Sequence, residues 1–151
     1  MPRKKKVVLT YENFVIEIKG WKPSYSIGIN VEMRLGEGHY FEHNFLELSG
    51  TFIEPPKLAE RSVKISLSAD RVMSQAVISD KVYSHEVRGI GHVYSRGNYS
   101  SCFLKLPYDA IPVVTTLLAL GRCKYLGMIG EKLRYGSAVI RNVQFEEALE
   151  E

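Results

Sequence analysis

The run YSIGINVEMRL, residues 25 to 35, sets Tyr25, Ile27, Ile29, Val31, Met33 and Leu35 against Ser26, Gly28, Asn30, Glu32 and Arg34 in strict alternation. Successive side chains of an extended strand point to opposite faces, so a period of two predicts a long strand with one apolar face. An apolar sheet face must be covered by a second layer or by the sheet closing on itself, which restricts the chain to a few architectures. The same period recurs in SVKISLSAD, where Val63, Ile65, Leu67 and Ala69 oppose Lys64, Ser66 and Ser68. Residues 40 to 54 read as another extended segment, with Leu46, Leu48 and Phe52 on one face, a bend at Gly50, and Pro55 and Pro56 ending it. Upstream, VVLTYENFVIEIKG supplies one or two more strands, punctuated by Gly20 and Pro23.

Downstream, EVRGIGHVYS and YSSCFLKL flank Arg96-Gly97-Asn98, a connector of residues that accept positive φ, and predict a β-hairpin. KYLGMIGE and GSAVIRNVQF add two final extended runs, while residues 70 to 83 show no clear period. One segment departs from this pattern. In PYDAIPVVTTLLALG, Asp109 is placed to cap a helix, Pro112 to sit in its first turn and Gly121 to end it. Ala110 to Leu120 carries no charge, and the helix would be about 16 Å long, well short of the roughly 30 Å bilayer core. A helix apolar on nearly every side is expected to be buried in its own domain, with docking onto a partner as the sharper alternative. The expected fold is mainly β: an antiparallel β-sandwich or partly open barrel with one apolar α-helix near residues 109–121.

Composition bounds the rest. A chain of 151 residues, 45% hydrophobic and 25% charged, suits one globular domain that buries a core without disulfide or metal staples. We place that domain at residues 7–145, between a basic head (1–6) and an acidic tail (146–151). Charge is unevenly spread: residues 7–60 hold four Lys and Arg against eight Glu, whereas residues 61–145 hold twelve Lys and Arg against five Asp and Glu. PRKKKV resembles a short nuclear-import signal, although a basic run at a terminus is more often a solvated tail. No run is long and apolar enough to span a bilayer, and the first residues lack the apolar stretch of a secretory signal. With Cys102 and Cys123 in no CxxC pair, a cytoplasmic protein with no membrane partner is expected.

Chemical constellations were weighed against ordinary sheet. His39 and His43 are four apart, but four residues of strand span about 13 Å, too far for two nitrogens on one Zn²⁺. His85 and His92 are separated by an odd number, so they face opposite sides of a regular strand. No metal or other cofactor is therefore expected. Cys123 lies between Arg122 and Lys124 but follows the helix's C-terminal end, where the macrodipole disfavours a thiolate, and Cys102 shares an apolar face with Leu104 and Leu106. Glu32, Glu37, Glu42 and Glu47 recur every five residues, which alternates faces and forms no carboxylate row. GxSxG, Walker A and GxGxxG sequences are absent.

The stretch SHEVRGIGHVYS, residues 84 to 95, is the richest in chemistry. RGIGHVYS overlays part of the RNP1 pattern of RNA-recognition motifs, but Ile90, His92 and Ser95 stand where that pattern needs aromatic residues. As a strand it presents Arg88, Ile90, His92 and Tyr94 on one face and Gly89, Gly91 and Val93 on the other, with Arg96, Tyr99 and Lys105 on the adjoining hairpin. Arg88, His92, Tyr94, Arg96 and Tyr99 are the candidate binding residues, since cations interleaved with aromatics suit phosphate, base, sugar or acidic protein. The paired glycines leave a groove that the helix is expected to fill. The leading expectation is a non-catalytic binding or assembly module acting on a protein partner or on itself. The alternatives are weak, sequence-tolerant nucleic-acid binding through the basic second half and, with least support, a small enzyme using His and Glu in a cleft.

Overall fold

The computed structural model describes residues 10–29, 40–70, 73–74 and 89–149. Seven strands among them close into a barrel: β1 (Tyr11–Ile29), β2 (Tyr40–Glu54), β3 (Ser62–Asp70), β4 (Gly91–Arg96), β5 (Tyr99–Pro107), β6 (Tyr125–Glu131) and β7 (Ser137–Glu146). Their order is β1-β2-β3-β5-β4-β7-β6, and β6 returns to β1. Helix α1 (Ala110–Ala119) lies between β5 and β6. The apolar faces anticipated for β2, β3 and β5 all point inward: Leu46, Leu48 and Phe52, then Val63, Ile65 and Leu67, then Cys102, Leu104 and Leu106 are buried. Phe14, Ile16, Val93, Leu126, Met128 and Ile140 complete the interior from the other four strands.

Neighbouring strands are antiparallel except β3 and β5, which run parallel from Lys64 opposite Ser101 to Asp70 opposite Pro107. A wholly antiparallel sheet is thus corrected at one seam. The cause is the hairpin. β4 and β5 reverse tightly through Gly97, which holds a φ of 57°, and the second arm of that hairpin, rather than the first, lies against β3. The segment YENFVIEIKG, with Gly20 and Pro23 as breaks, is also one strand with the run beginning at Tyr25, not a separate element. The strand bulges between Ile18 and Gly20 instead of ending there, and Gly50 lies across from Ile18 where β1 and β2 approach closely. A Cβ on Gly50 would stand 2.2 Å from the Glu17 carbonyl oxygen, so any side chain there would force the two backbones apart.

That bulge divides β1 in two. Tyr11 to Glu17 pairs with β6, and from Val15 onward β1 pairs with β2 as well; beyond the bulge, among the described residues, β1 pairs with β2 alone. β2 likewise meets β3 only from Phe45 onward. Among the described residues, the segments 25–29 and 40–44 therefore form a two-stranded arm continuing past the barrel wall.

Helix α1 packs at the same end of the barrel, against β2, β3 and β5, and buries Ile111, Val114 and Leu118. Its other face is exposed, Val113 and Leu120 included, so full burial of the helix is not observed. Thr115 and Thr116 turn their hydroxyls back to the carbonyls of Ile111 and Pro112, which removes two polar groups from that face. Asp109 stands at the N-cap position in helical conformation and makes no side-chain cap hydrogen bond. The C-terminus ends as the sequence anticipates: Gly121 takes a φ of 69°, its N–H donates to the Leu118 carbonyl, and the Arg122 N–H donates to Leu117, a Schellman arrangement. Glu146, assigned to the tail from sequence, is the last residue of β7, and its carbonyl accepts the Lys124 N–H.

Candidate functional site

The outer surface of β2, β3, β5 and β4 follows from the alternation that builds the core. Because Leu46, Leu67, Leu104 and Val93 face inward, Phe45, Ser66, Ser68, Phe103, His92 and Tyr94 face outward. Cross-strand register arranges them in rows: Phe45 opposite Ser68 opposite Lys105, then Glu47 opposite Ser66 opposite Phe103 opposite His92, then Lys64 opposite Ser101 opposite Tyr94. The two phenyl rings consequently stand on either side of a floor of serines. Phe45 is 40% exposed and Phe103 53%, values that exclude them from the core. The rings form two clusters. His43 stacks on Phe45 at 5.6 Å between centroids, while His92 stacks on Tyr94 at 5.8 Å and Tyr94 meets Phe103 edge-on at 6.3 Å.

A cleft of about 430 Å³ lies over this floor, lined by Phe45, Ser66, Ser68, Phe103, Lys105 and the stretch from Gly89 to His92. Helix α1 contributes nothing to its lining, so the expectation that the helix fills the glycine groove is overturned. The glycines serve the strands instead. A Cβ on Gly91 would stand 1.9 Å from the Phe103 carbonyl oxygen, and one on Gly89 would stand 2.3 Å from that of Ile140. Between them, Ile90 donates its N–H to Ile140 on β7 and accepts from Lys105 on β5. In a regular strand both groups of one residue point the same way, so the backbone twists here and Ile90 packs against the core instead of sharing the outward face of His92 and Tyr94.

Of the residues singled out from sequence, His92 lines the cleft with Tyr94 stacked on it, and Arg96 and Tyr99 pair across the hairpin end two positions further down the same outer face. Arg88 and His85 lie outside the described residues, as do His39, Glu32 and Glu37. Arg61 braces that hairpin, donating to Ser95 Oγ at 3.2 Å and to the Gly97 carbonyl at 3.0 Å. Phe45, Phe103 and Lys64 were missed, although the signal was present: each alternates with residues assigned to the core face.

Glu47 stands opposite Ser66 beside the cleft. Lys105 is 4.0 Å from Asp70, while Lys64 makes no ion pair among the described residues. Among the described residues, no carboxylate lines the cleft that holds His92. Among the described residues, no three His, Cys, Asp or Glu side chains are grouped to hold a metal ion. Neither thiol is activated: burial pushes Cys102 up to about 12, and burial raises Cys123 against a backbone hydrogen bond at Glu146 that lowers it. No described helix is long and apolar enough to cross a membrane.

The arm is the second unusual surface. Tyr25, Ile27, Ile29 and Tyr40 lie on the side that continues the core face of the barrel, with Ile27 opposite Glu42 and Ile29 opposite Tyr40. Tyr25, Ile27 and Ile29 are 58%, 60% and 61% exposed. Glu42 ties the arm to the body, accepting a hydrogen bond from Tyr25 Oη at 2.6 Å and another from Tyr108 Oη, just ahead of α1. No family model, curated protein or solved structure matches the chain.

Proposed function

We propose that the protein is a non-catalytic assembly module whose arm pairs with the arm of a second copy. The observation that carries this reading is the exposed, uncharged stretch Pro23 to Ile29, which keeps core-type side chains beyond the end of the core and, among the described residues, has a strand edge without a neighbour. An isolated two-stranded ribbon is marginal in water, and an open apolar edge is a template for another strand. A two-fold pairing centred on Ile27 would set Ile27 against its mate and Tyr25 against Ile29, aromatic and β-branched combinations of the kind that stabilise antiparallel pairs. On the opposite face Ser26 would meet Gly28, so no like charges oppose each other. The uncharged outer side of α1, at the same end, adds apolar surface for a protein contact.

Light scattering after size exclusion across a concentration series tests this. The chain is expected to associate in a concentration-dependent manner, and Ile27→Lys with Ile29→Lys is expected to hold it as a monomer with an unchanged fold. A wild-type chain that remains monomeric at every concentration would refute the proposal.

A further inference from the structure

Arm pairing makes no use of the cleft on the barrel wall, and its chemistry differs from that of the arm. The arm offers continuous apolar surface; the cleft offers separated rings, short hydroxyls and cations. Strands lie about 4.8 Å apart, so Phe45 on β2 and Phe103 on β5, with β3 between them, are about 10 Å apart across the sheet and one residue pair apart along it. That is too far for the rings to stack on each other, and the serines between them are too short to fill the space. Both rings stay open to solvent, Phe45 beside His43 and Phe103 beside Tyr94. Lys105 flanks the floor at the Ser68 row, and Lys64 flanks it one residue pair beyond Ser66, so positive charge borders the gap at both ends along the strands.

The geometry points to single-stranded nucleic acid as the ligand of this cleft, with bases stacking on Phe45 and Phe103 and phosphates meeting Lys64 and Lys105. Exposed rings on a sheet reach only bases that are not already stacked in a duplex, and stacking tolerates any base because each has a π-face. The Tyr94 and His92 pair extends the Phe103 platform toward Arg96, giving the strand a path along β4. Two acidic groups border this path: Glu47, opposite Ser66, on the β2 side, and Asp70, 4.0 Å from Lys105, at the Lys105 end.

Fluorescence polarisation of the full chain with labelled oligothymidine at low salt is the test. Binding is expected to weaken steeply as sodium chloride rises, because phosphate contacts release counterions. Phe45→Ala and Phe103→Ala are each expected to cost roughly five- to a hundredfold in affinity, and an abasic strand of the same charge should bind the wild type correspondingly less tightly. Both rings point outward, so thermal melting should confirm that these variants fold. Lys64→Glu with Lys105→Glu provides a second route, expected to weaken binding and flatten its salt dependence. No binding at low salt, equal binding of the abasic strand, or affinity unmoved by either phenylalanine variant would overturn the proposal. Loss of binding in Ile27→Lys with Phe103→Ala unaffected would also overturn it by moving the contact to the arm.

Discussion

The two halves of β1 share one pattern and have opposite fates. From Tyr11 to Glu17 the strand is bonded to β6, from Val15 onward to β2 as well, and Phe14 and Ile16 are wholly buried. From Trp21 to Ile29 the alternation continues, yet Tyr25, Ile27 and Ile29 stand more than half exposed. The residue types barely differ; the neighbours do. Alternation therefore reports which side of a strand is apolar, and the partners on either edge determine whether that side is covered.

The largest effect should separate the halves directly. Phe14→Ala removes a ring from a filled interior and is expected to cost about 3–5 kcal/mol in urea unfolding, whereas Tyr25→Ala, measured on dilute protein, should stay within about 0.5 kcal/mol. Equal costs would mean that the arm is structurally part of the barrel. At the junction, Gly50→Val drives a side chain into the Glu17 carbonyl and Ile16, and overpacking of this kind is expected to cost about 1–3 kcal/mol. Gly28→Val in the arm, where the strand has a single neighbour, should cost less by the same measurement.

Alkaline titration gives a third contrast, this time between buried and exposed chemistry. Burial holds the Cys102 thiol protonated up to about 12, while in the unfolded chain it ionises near 9.0. Between those values the unfolded state binds fewer protons than the folded one, so stability must fall as pH rises, by at most about 1.4 kcal/mol per pH unit from this group. Unfolding free energies of wild type and Cys102→Ala compared across that window isolate the contribution, and parallel pH profiles would contradict it. The smallest effect is expected from Tyr108→Phe, which deletes one hydroxyl bonded to Glu42. Global stability should drop by about 1 kcal/mol or less, while hydrogen exchange in the arm quickens and that in the barrel strands does not.

Much of the barrel was legible because a period of two is strong wherever one face is buried. Leu46, Leu48, Val63, Ile65, Leu67 and Leu104 all lie inside as their alternation requires. Closure and the parallel β3–β5 seam were not legible, since pairing depends on contacts between distant segments and leaves no local mark. Gly20 and Pro23 misled for a related reason: both are tolerated in a strand where it bulges or loses a neighbour, and β1 does both. In the cleft, His92 and Tyr94 were found by their chemistry, while Phe45 and Phe103 were passed over because an aromatic residue in a strand is ordinarily core. Their outward direction was implied by the leucines beside them.

The seam that completes the barrel joins its most distant parts, with Tyr11 opposite Glu131 and Glu17 opposite Tyr125. Closing so long a loop costs chain entropy before any contact at the seam offsets it, and topologies dominated by such pairings fold on millisecond to second timescales. Until β6 forms, the β6-facing edge of β1 lacks its partner along the barrel half, just as the arm's edge has none among the described residues of the finished molecule. The mature arm thus preserves at one end the condition through which the whole strand passes during folding, and the interval before closure is when strand exchange between two chains has its best opportunity.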